Sequence, residues 1–293
     1  MLRQLGAVSA LVLANWVGGP AAAAAEARAP SQEVRFTSAG AQLAGTMLIP
    51  PQIVAAAVVV HGSGQQARMV PFARELAEHS IAALTYDKRG VGESGGTYVG
   101  GEVGTNNASA ANLELLAADA AAAVDELIRR LEPRRAVVGL IGFSQAGWII
   151  PLAAVRNPGA QFIVLCSGPV VTTHEQIRFQ FYTENKDDFW DSHTEAEVRE
   201  HISADADRFE FADTDPRVAL AQLSIPGLWL FGARDVLVPV QLSIERLQQL
   251  KAQGKQFEYR LFPGMGHQLD EDHVLPAMLE WLNAAQLRPR SPG

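Results

Sequence analysis

The chain predicts an α/β fold, a mostly parallel eight-stranded sheet with helices on both faces and a small helical segment inserted late. Three observations carry this. Short apolar runs alternate with helical patterns along most of the chain, the succession that builds parallel sheets covered on both sides. One of those runs stops at Gly142-Phe143-Ser144-Gln145-Ala146-Gly147 and is followed at once by an apolar, helix-compatible stretch. A polar, aromatic-bearing segment, 172–222, then breaks the alternation.

Taken in order, residues 1–25 read as a signal peptide. Arg3 gives a short positive start, residues 5–17 are mostly apolar, and Ala21 to Ala25 offer small-x-small cleavage positions. Asn15, Gly18, Gly19 and Pro20 interrupt the stretch too early for a good membrane span, so an uncleaved anchor ranks second. Export to a bacterial periplasm or secretion is expected, with no stable membrane insertion after processing. The expected domain is then 26–171, the first part of the core, and 223–293, the second part, with 172–222 between them.

An opening hairpin is predicted at 33–37 and 45–48. Strands follow at 55–60, 82–86, 137–141, 162–165, 227–231 and 257–261. Helices are predicted at 71–80, 111–131, 145–155, 240–252 and 274–285. In open α/β sheets ligands bind beyond the carboxyl ends of the strands, so the loops there hold the candidate site residues. The run ending at Ser144 reads as strand, sharp turn, helix, with the hydroxyl raised at the turn. The run 227–231 leads to Asp235, and the strand 257–261 leads through Pro263-Gly264-Met265-Gly266 to His267. A serine hydroxyl becomes a good nucleophile when a neighbouring imidazole takes its proton. The imidazole in turn needs a carboxylate to hold its tautomer. Ser144, His267 and Asp235 supply those three groups in the chain order Ser, Asp, His.

These motifs, with His61-Gly62-Ser63-Gly64, Arg68, and Tyr86-Asp87-Lys88-Arg89-Gly90-Val91-Gly92-Glu93-Ser94, make the chain resemble the α/β-hydrolases. Within them it is similar to the bacterial esterase and serine-aminopeptidase-like branch. The resemblance covers nearly all of the chain after the leader. It implies that the loop after strand 55–60 gives one oxyanion donor, the N–H of Ser63 (Gly64 is the alternative), and that the N–H of Gln145 gives the other. The usual elbow is Gly-x-Ser-x-Gly; here Ala146 holds the last glycine position, and a slightly altered helix packing is expected.

The segment 172–222 is too long for a structureless loop. It is expected to form a helical cap over the site, its aromatics mostly packing internally and a few lining an apolar pocket. The cap is expected to choose the substrate, with every proposed triad residue outside it. His174, His193 and His201 read as solvated and not as metal ligands.

The 293 residues carry a formal net charge of −8 and 48% hydrophobic residues, with no Lys/Arg block, which argues against nucleic acid and anionic membranes as partners. The single cysteine, Cys166, reads as a buried filler. Gly90-Val91-Gly92-Glu93-Ser94-Gly95 matches Gly-x-Gly-x-x-Gly, yet more loop follows where a dinucleotide site needs a helix, so a turn is preferred. Asp87, Lys88 and Arg89 are expected to hold that turn. Arg68 reads as an anchor of the oxyanion loop before a ligand for a substrate carboxylate, and His61 as structural. Asp270-Glu271-Asp272-His273 reads as a helix start, although Asp270 is the rival candidate for the acid.

The reading is a serine hydrolase acting on a carboxylic ester, with a small-molecule ester or amide as partner and no cofactor or metal needed. An aminopeptidase or amidase on the same fold is one alternative. A non-catalytic small-molecule-binding protein is the alternative of another class.

Overall fold

A computed structural model describes residues 29–100, 107–132, 134, 136–206 and 209–285. The expected leader, 1–25, lies outside the described residues. Strands β1 (Ser31–Ser38) and β2 (Ala41–Leu48) pair antiparallel. Ala39 and Gly40 turn the hairpin, both at positive φ, the two-residue geometry that matches strand twist. The hairpin strands are longer than the sequence suggests, because pairing from Ser38↔Ala41 onward recruits polar residues with little strand preference of their own.

Beyond the hairpin come β3 (Ala55–Val60), β4 (Ile81–Tyr86), β5 (Val138–Phe143), β6 (Phe162–Cys166), β7 (Gly227–Gly232) and β8 (Phe257–Phe262). The sheet order is β1-β2-β4-β3-β5-β6-β7-β8. β2 meets β4 antiparallel, and all later pairings are parallel. Every residue of β3, β4 and β7 is buried, as strands covered on both faces require.

The strand alternation sorts the core into two layers. Ala56, Val58 and Val60 face the layer of α2 (Ala110–Leu131), α3 (Ala146–Arg156) and α7 (Val240–Ala252). Ala55, Ala57 and Val59 face that of α1 (Val70–Glu78) and α8 (Glu271–Ala284). This is the α/β-hydrolase fold. Its strand order reverses between β3 and β5, which opens a crevice beyond their carboxyl ends.

Between β6 and β7 lie α4 (Thr173–Thr183), a 3₁₀ turn (Phe189–Asp191), α5 (Glu195–Ala204) and α6 (Pro216–Leu220). Both α4 and α5 start in capping boxes, Thr172 with Glu175 and Thr194 with Glu197. Phe179, Phe189, Val198 and Ile202 bury one another, with Tyr182 and Trp190 packed against them. Phe181 is exposed and stacks on Phe209. The Gly90–Gly96 segment is a turn, with Gly90, Gly92 and Gly96 at positive φ. Among the described residues no helix is long and apolar enough to cross a membrane.

Candidate active site

Ser144 occupies the turn between β5 and α3 at φ +50°. A non-glycine residue there is strained, and the neighbourhood holds it in place. Ser144 N–H donates to the Cys166 carbonyl at 2.9 Å, and the Ser144 carbonyl accepts from Gly147 N–H at 2.8 Å. β5 runs two residues past its predicted end, to Phe143, because Phe143 still pairs with Cys166. The alanine at the family's glycine position fits for a visible reason. A side chain on Gly142 would come within 2.5 Å of the Ala146 Cβ, so the space the usual second glycine leaves open is supplied here by Gly142. Gly147 lets α3 approach the next loop, since a Cβ there would meet Pro169 at 2.4 Å.

His267 and Asp235 complete a line to that serine. Ser144 Oγ lies 2.9 Å from His267 Nε2, and His267 Nδ1 lies 2.8 Å from Asp235 Oδ2. The other oxygen of Asp235, Oδ1, accepts from Leu237 N–H at 2.7 Å and Val238 N–H at 2.8 Å. An ionised carboxylate only accepts, which places the imidazole proton on Nδ1 and leaves Nε2 to accept from the serine hydroxyl. Gly232 permits the approach of the histidine loop to the end of β7, because a Cβ there would lie 2.1 Å from the Gly266 carbonyl. Asp270 takes no part. It caps α8, accepting from His273 N–H, and its side chain is 55% exposed.

The loop after β3 reaches the same point. A Cβ on Gly62 would sit 3.5 Å from the Ser144 Cβ, so the loop abuts the turn at the residue before Ser63. Gln145 begins α3, where the first amides have no intrahelical acceptor. Its side chain is buried; Nε2 donates to Asn107 Oδ1 at 2.6 Å.

The trio Asp87-Lys88-Arg89 corrects one expectation. Of the three side chains it is that of Asp87 that holds the glycine turn, accepting from Glu93 N–H at 3.0 Å; Lys88 adds its main-chain carbonyl, which accepts from Val91 N–H at 2.9 Å. Arg89 turns away to pair with buried Asp119 on α2. Lys88 is buried behind the His61–Gly64 loop; its Nζ donates to the Gly62 carbonyl at 2.6 Å, the Gly64 carbonyl at 3.1 Å and Gln145 Oε1 at 3.1 Å. Burial lowers the Lys88 ammonium to about 7. Arg68 anchors the region: its guanidinium donates to Asp87, Glu33, Thr46 and Glu93, which occupies all five of its hydrogens. Cys166 is buried, which raises its thiol to about 12.

Several contacts escaped the sequence reading. Ser167, at φ +51°, donates from Oγ to the His267 carbonyl at 2.7 Å. The inserted segment also grips the loop that bears Asp235. Trp190 Nε1 donates to the Asp235 carbonyl at 2.9 Å, Thr183 Oγ1 to the Val236 carbonyl at 2.7 Å and Gln180 Nε2 to the Leu237 carbonyl at 3.1 Å. These segments are therefore not independent of the Asp235 loop. Trp190→Phe, which keeps the ring and removes the donor, is expected to lower kcat several-fold on every substrate alike, the effect of about one lost hydrogen bond. Phe181→Ala, at an exposed ring with no such bond, is expected to shift relative kcat/KM between acyl chain lengths by about 10- to 200-fold instead. A chain-length series on both variants separates the two effects.

His61 is structural. It is buried edge-on to Tyr86 with ring centroids 4.9 Å apart, and its Nε2 has no hydrogen-bond partner among the described residues. Burial, then the charge of Lys88, lowers it from 6.5 to about 3. A depressed histidine is neutral in the folded state and takes up a proton on unfolding. Its stabilising contribution is complete above pH 6.5 and is lost as pH falls toward 3. Urea unfolding is expected to show a loss of roughly 1–2 kcal/mol between pH 6.5 and 5, above the ordinary carboxylate range. His61→Leu is expected to flatten that limb; an unchanged slope in the variant assigns it to other groups.

The sequence matches the family described as serine aminopeptidase, S33, over residues 51–219, more than half of the chain. No curated protein sequence matches it significantly. Among solved structures, the Pyrococcus furiosus esterase Pf2001 is similar with a TM-score of 0.58 at 19% identity, over 87% of this chain and 88% of that one. Acetyl xylan esterase 1 from Thermoanaerobacterium sp. JW/SL YS485 gives 0.62 at 16% identity, over 89% and 85%. Pyrococcus horikoshii acylaminoacyl peptidase gives 0.61 at 15% identity, over 91% of this chain but 43% of that one. At such identities the likeness concerns the fold. Together with the family match, it makes this chain a hydrolase of the α/β-hydrolase fold, belonging to the serine aminopeptidase (S33) family.

Proposed function

We infer that the protein is a serine hydrolase that cleaves carboxylic esters through an acyl-enzyme. The observation that carries this is the unbroken line Asp235–His267–Ser144, with separations of 2.8 and 2.9 Å, at the carboxyl ends of three strands. Ser144 Oγ bonds to the acyl carbon while its proton passes to His267 Nε2. His267 then gives that proton to the departing alkoxide. Water, deprotonated by His267, releases the acid and restores the serine. Asp235 stabilises the imidazolium between these steps. The N–H groups of Ser63 and Gln145 bind the oxyanion of both tetrahedral intermediates.

Ester cleavage is favoured over the aminopeptidase alternative because an alkoxide leaving group demands less of the site than an amine does. The esterase and peptidase relatives fit either reaction. The leader supports export, which N-terminal sequencing of protein recovered from the producing cell tests; an unprocessed start at Met1 counts against it.

The decisive experiment is a panel of p-nitrophenyl esters of graded chain length beside aminoacyl p-nitroanilides, with fluorophosphonate labelling located by peptide mapping. Ester kcat/KM above that of every anilide, with the label on Ser144, is expected. Faster anilide turnover selects the aminopeptidase reading, and no labelling at all selects a non-catalytic binding protein.

A further inference from the structure

The loop that carries the first oxyanion donor has no regular structure to hold it. His61 to Gly64 leaves β3 at its last residue, and Gly64 sits at φ +82°. Buried carbonyls in such a loop need donors from elsewhere. One side chain supplies them. Lys88 Nζ donates to Gly62 O at 2.6 Å, Gly64 O at 3.1 Å and Gln145 Oε1 at 3.1 Å. An ammonium has three hydrogens and no acceptor, so three oxygens satisfy it completely. Its main chain adds a fourth tie, Lys88 N–H to the Gln66 carbonyl at 3.0 Å.

The peptide geometry gives this contact a direction. In a planar trans peptide the C=O and the following N–H point opposite ways. The Gly62 carbonyl points at Lys88, so the Ser63 N–H of the same peptide unit points away from it. Gly62 abuts Ser144, with only 3.5 Å between its Cβ position and the serine Cβ, so this peptide lies beside the nucleophile. A charge-assisted bond to the carbonyl also polarises the peptide and strengthens its N–H as a donor, since hydrogen bonds in series reinforce one another. The third bond, to Gln145, ties the residue that supplies the second N–H to the same ammonium. Asn107 fixes the far end of that side chain, accepting from Gln145 Nε2 at 2.6 Å.

We propose that Lys88 is the positioning residue of the oxyanion site: one buried ammonium clamps the Gly62 and Gly64 carbonyls and the Gln145 side chain, setting the two oxyanion donors relative to each other and polarising the peptide that carries Ser63 N–H. The proposal rests on the reading of Ser144 as nucleophile and of Ser63 and Gln145 as donors. Its physical core is preorganisation. A buried charge is tolerated only while its bonds are complete, so a shift of either carbonyl leaves it under-bonded. The loop is thereby stiffened before substrate arrives, and donors that need no reorganisation are those that stabilise a developing oxyanion most.

The test uses Lys88→Met, which keeps the length and apolar stem but has no donor, and Lys88→Gln, which keeps a neutral donor. Removal of a direct oxyanion donor costs about 10²- to 10³-fold in kcat, so an indirect clamp is expected to cost about 10- to 100-fold in Lys88→Met, with Lys88→Gln between it and the wild type. KM is expected to stay within about threefold, because the ground-state carbonyl gains little from the site. The affinity for an alkylboronic acid, which presents a tetrahedral oxyanion, is expected to fall in proportion to kcat/KM across the series. A purely structural lysine does not produce that proportionality. A folded Lys88→Met with kcat within about threefold of wild type, or boronate affinity that does not follow kcat/KM, overturns the proposal. Failure of both variants to fold assigns Lys88 a structural role and overturns it as well. Fluorophosphonate labelling keeps the two readings apart. An unlabelled wild type refutes the nucleophile, whereas a labelled, fully active Lys88→Met refutes the clamp alone.

Discussion

Ser144→Ala is expected to lower kcat by about 10⁶, the scale on which triad nucleophiles act, and to leave the fold intact. Serine and alanine share the Cβ that strains the left-handed backbone at φ +50°, so the substitution changes the strain little. What it removes is the hydroxyl and its hydrogen bond to His267, which contributes about 1 kcal/mol or less to stability. A second substitution shows what the strain is for. Glycine escapes the left-handed cost of about 1–2 kcal/mol per residue. It gives back about 0.5–1 kcal/mol through the greater freedom of the unfolded chain. Ser144→Gly is therefore expected to be equally inactive and at least as resistant to heat as Ser144→Ala. Steady-state ester hydrolysis and thermal melts followed by circular dichroism check both. A Ser144→Ala enzyme that keeps more than about a tenth of the wild-type rate removes Ser144 from its role.

Asp235→Asn is expected to lower kcat by roughly 10⁴. The environment of the carboxylate says how. Its Oδ1 accepts from two main-chain N–H groups, at Leu237 and Val238. An asparagine satisfies both only by keeping its oxygen there, which turns its NH₂ toward His267 Nδ1. Two donors cannot share that contact, so the imidazole moves its proton to Nε2 and can no longer accept one from Ser144. The loss is thus one of tautomer, with geometry and stability nearly preserved. Asp270→Asn is the control. Asparagine caps helices about as well as aspartate, so neither rate nor melting temperature should change much. If Asp270→Asn is instead the more damaging of the two, the acid has been misassigned.

The residues on these two predictions were legible in the sequence because each follows a strand whose periodicity is local. A buried parallel strand is a short apolar run, and the residue just beyond it is a site position by topology. That reasoning reached Ser144, Asp235 and His267 without any knowledge of contacts, whereas the His61–Gly64 loop was singled out by the resemblance to the α/β-hydrolases. The departure at Ala146 was legible too, but its consequence was not. It took the packing of Gly142 against the Ala146 Cβ to show how the turn accommodates a methyl group.

Lys88 shows the limit most clearly. Within the run Asp87-Lys88-Arg89 three charged neighbours look alike, and a shared duty at the glycine turn is the natural expectation. The structure sends them three ways: Asp87 to Arg68 and the turn, Arg89 to Asp119, Lys88 to the back of the His61–Gly64 loop. Successive side chains at a strand end leave in different directions, and, the turn itself apart, what each meets lies 19 to 57 residues away in the chain. The inserted segment behaves likewise. Its aromatics were countable, but only tertiary packing separates Phe181, which lies open, from Trp190, whose indole N–H holds the loop of Asp235.

The sequence alone therefore determined the architecture and the loops beyond the strands that bear Ser144, Asp235 and His267, since these follow from local periodicity and from topology. The tertiary structure decided which buried polar groups satisfy one another. Those pairings join residues distant along the chain, and burial leaves each of them few partners to choose from.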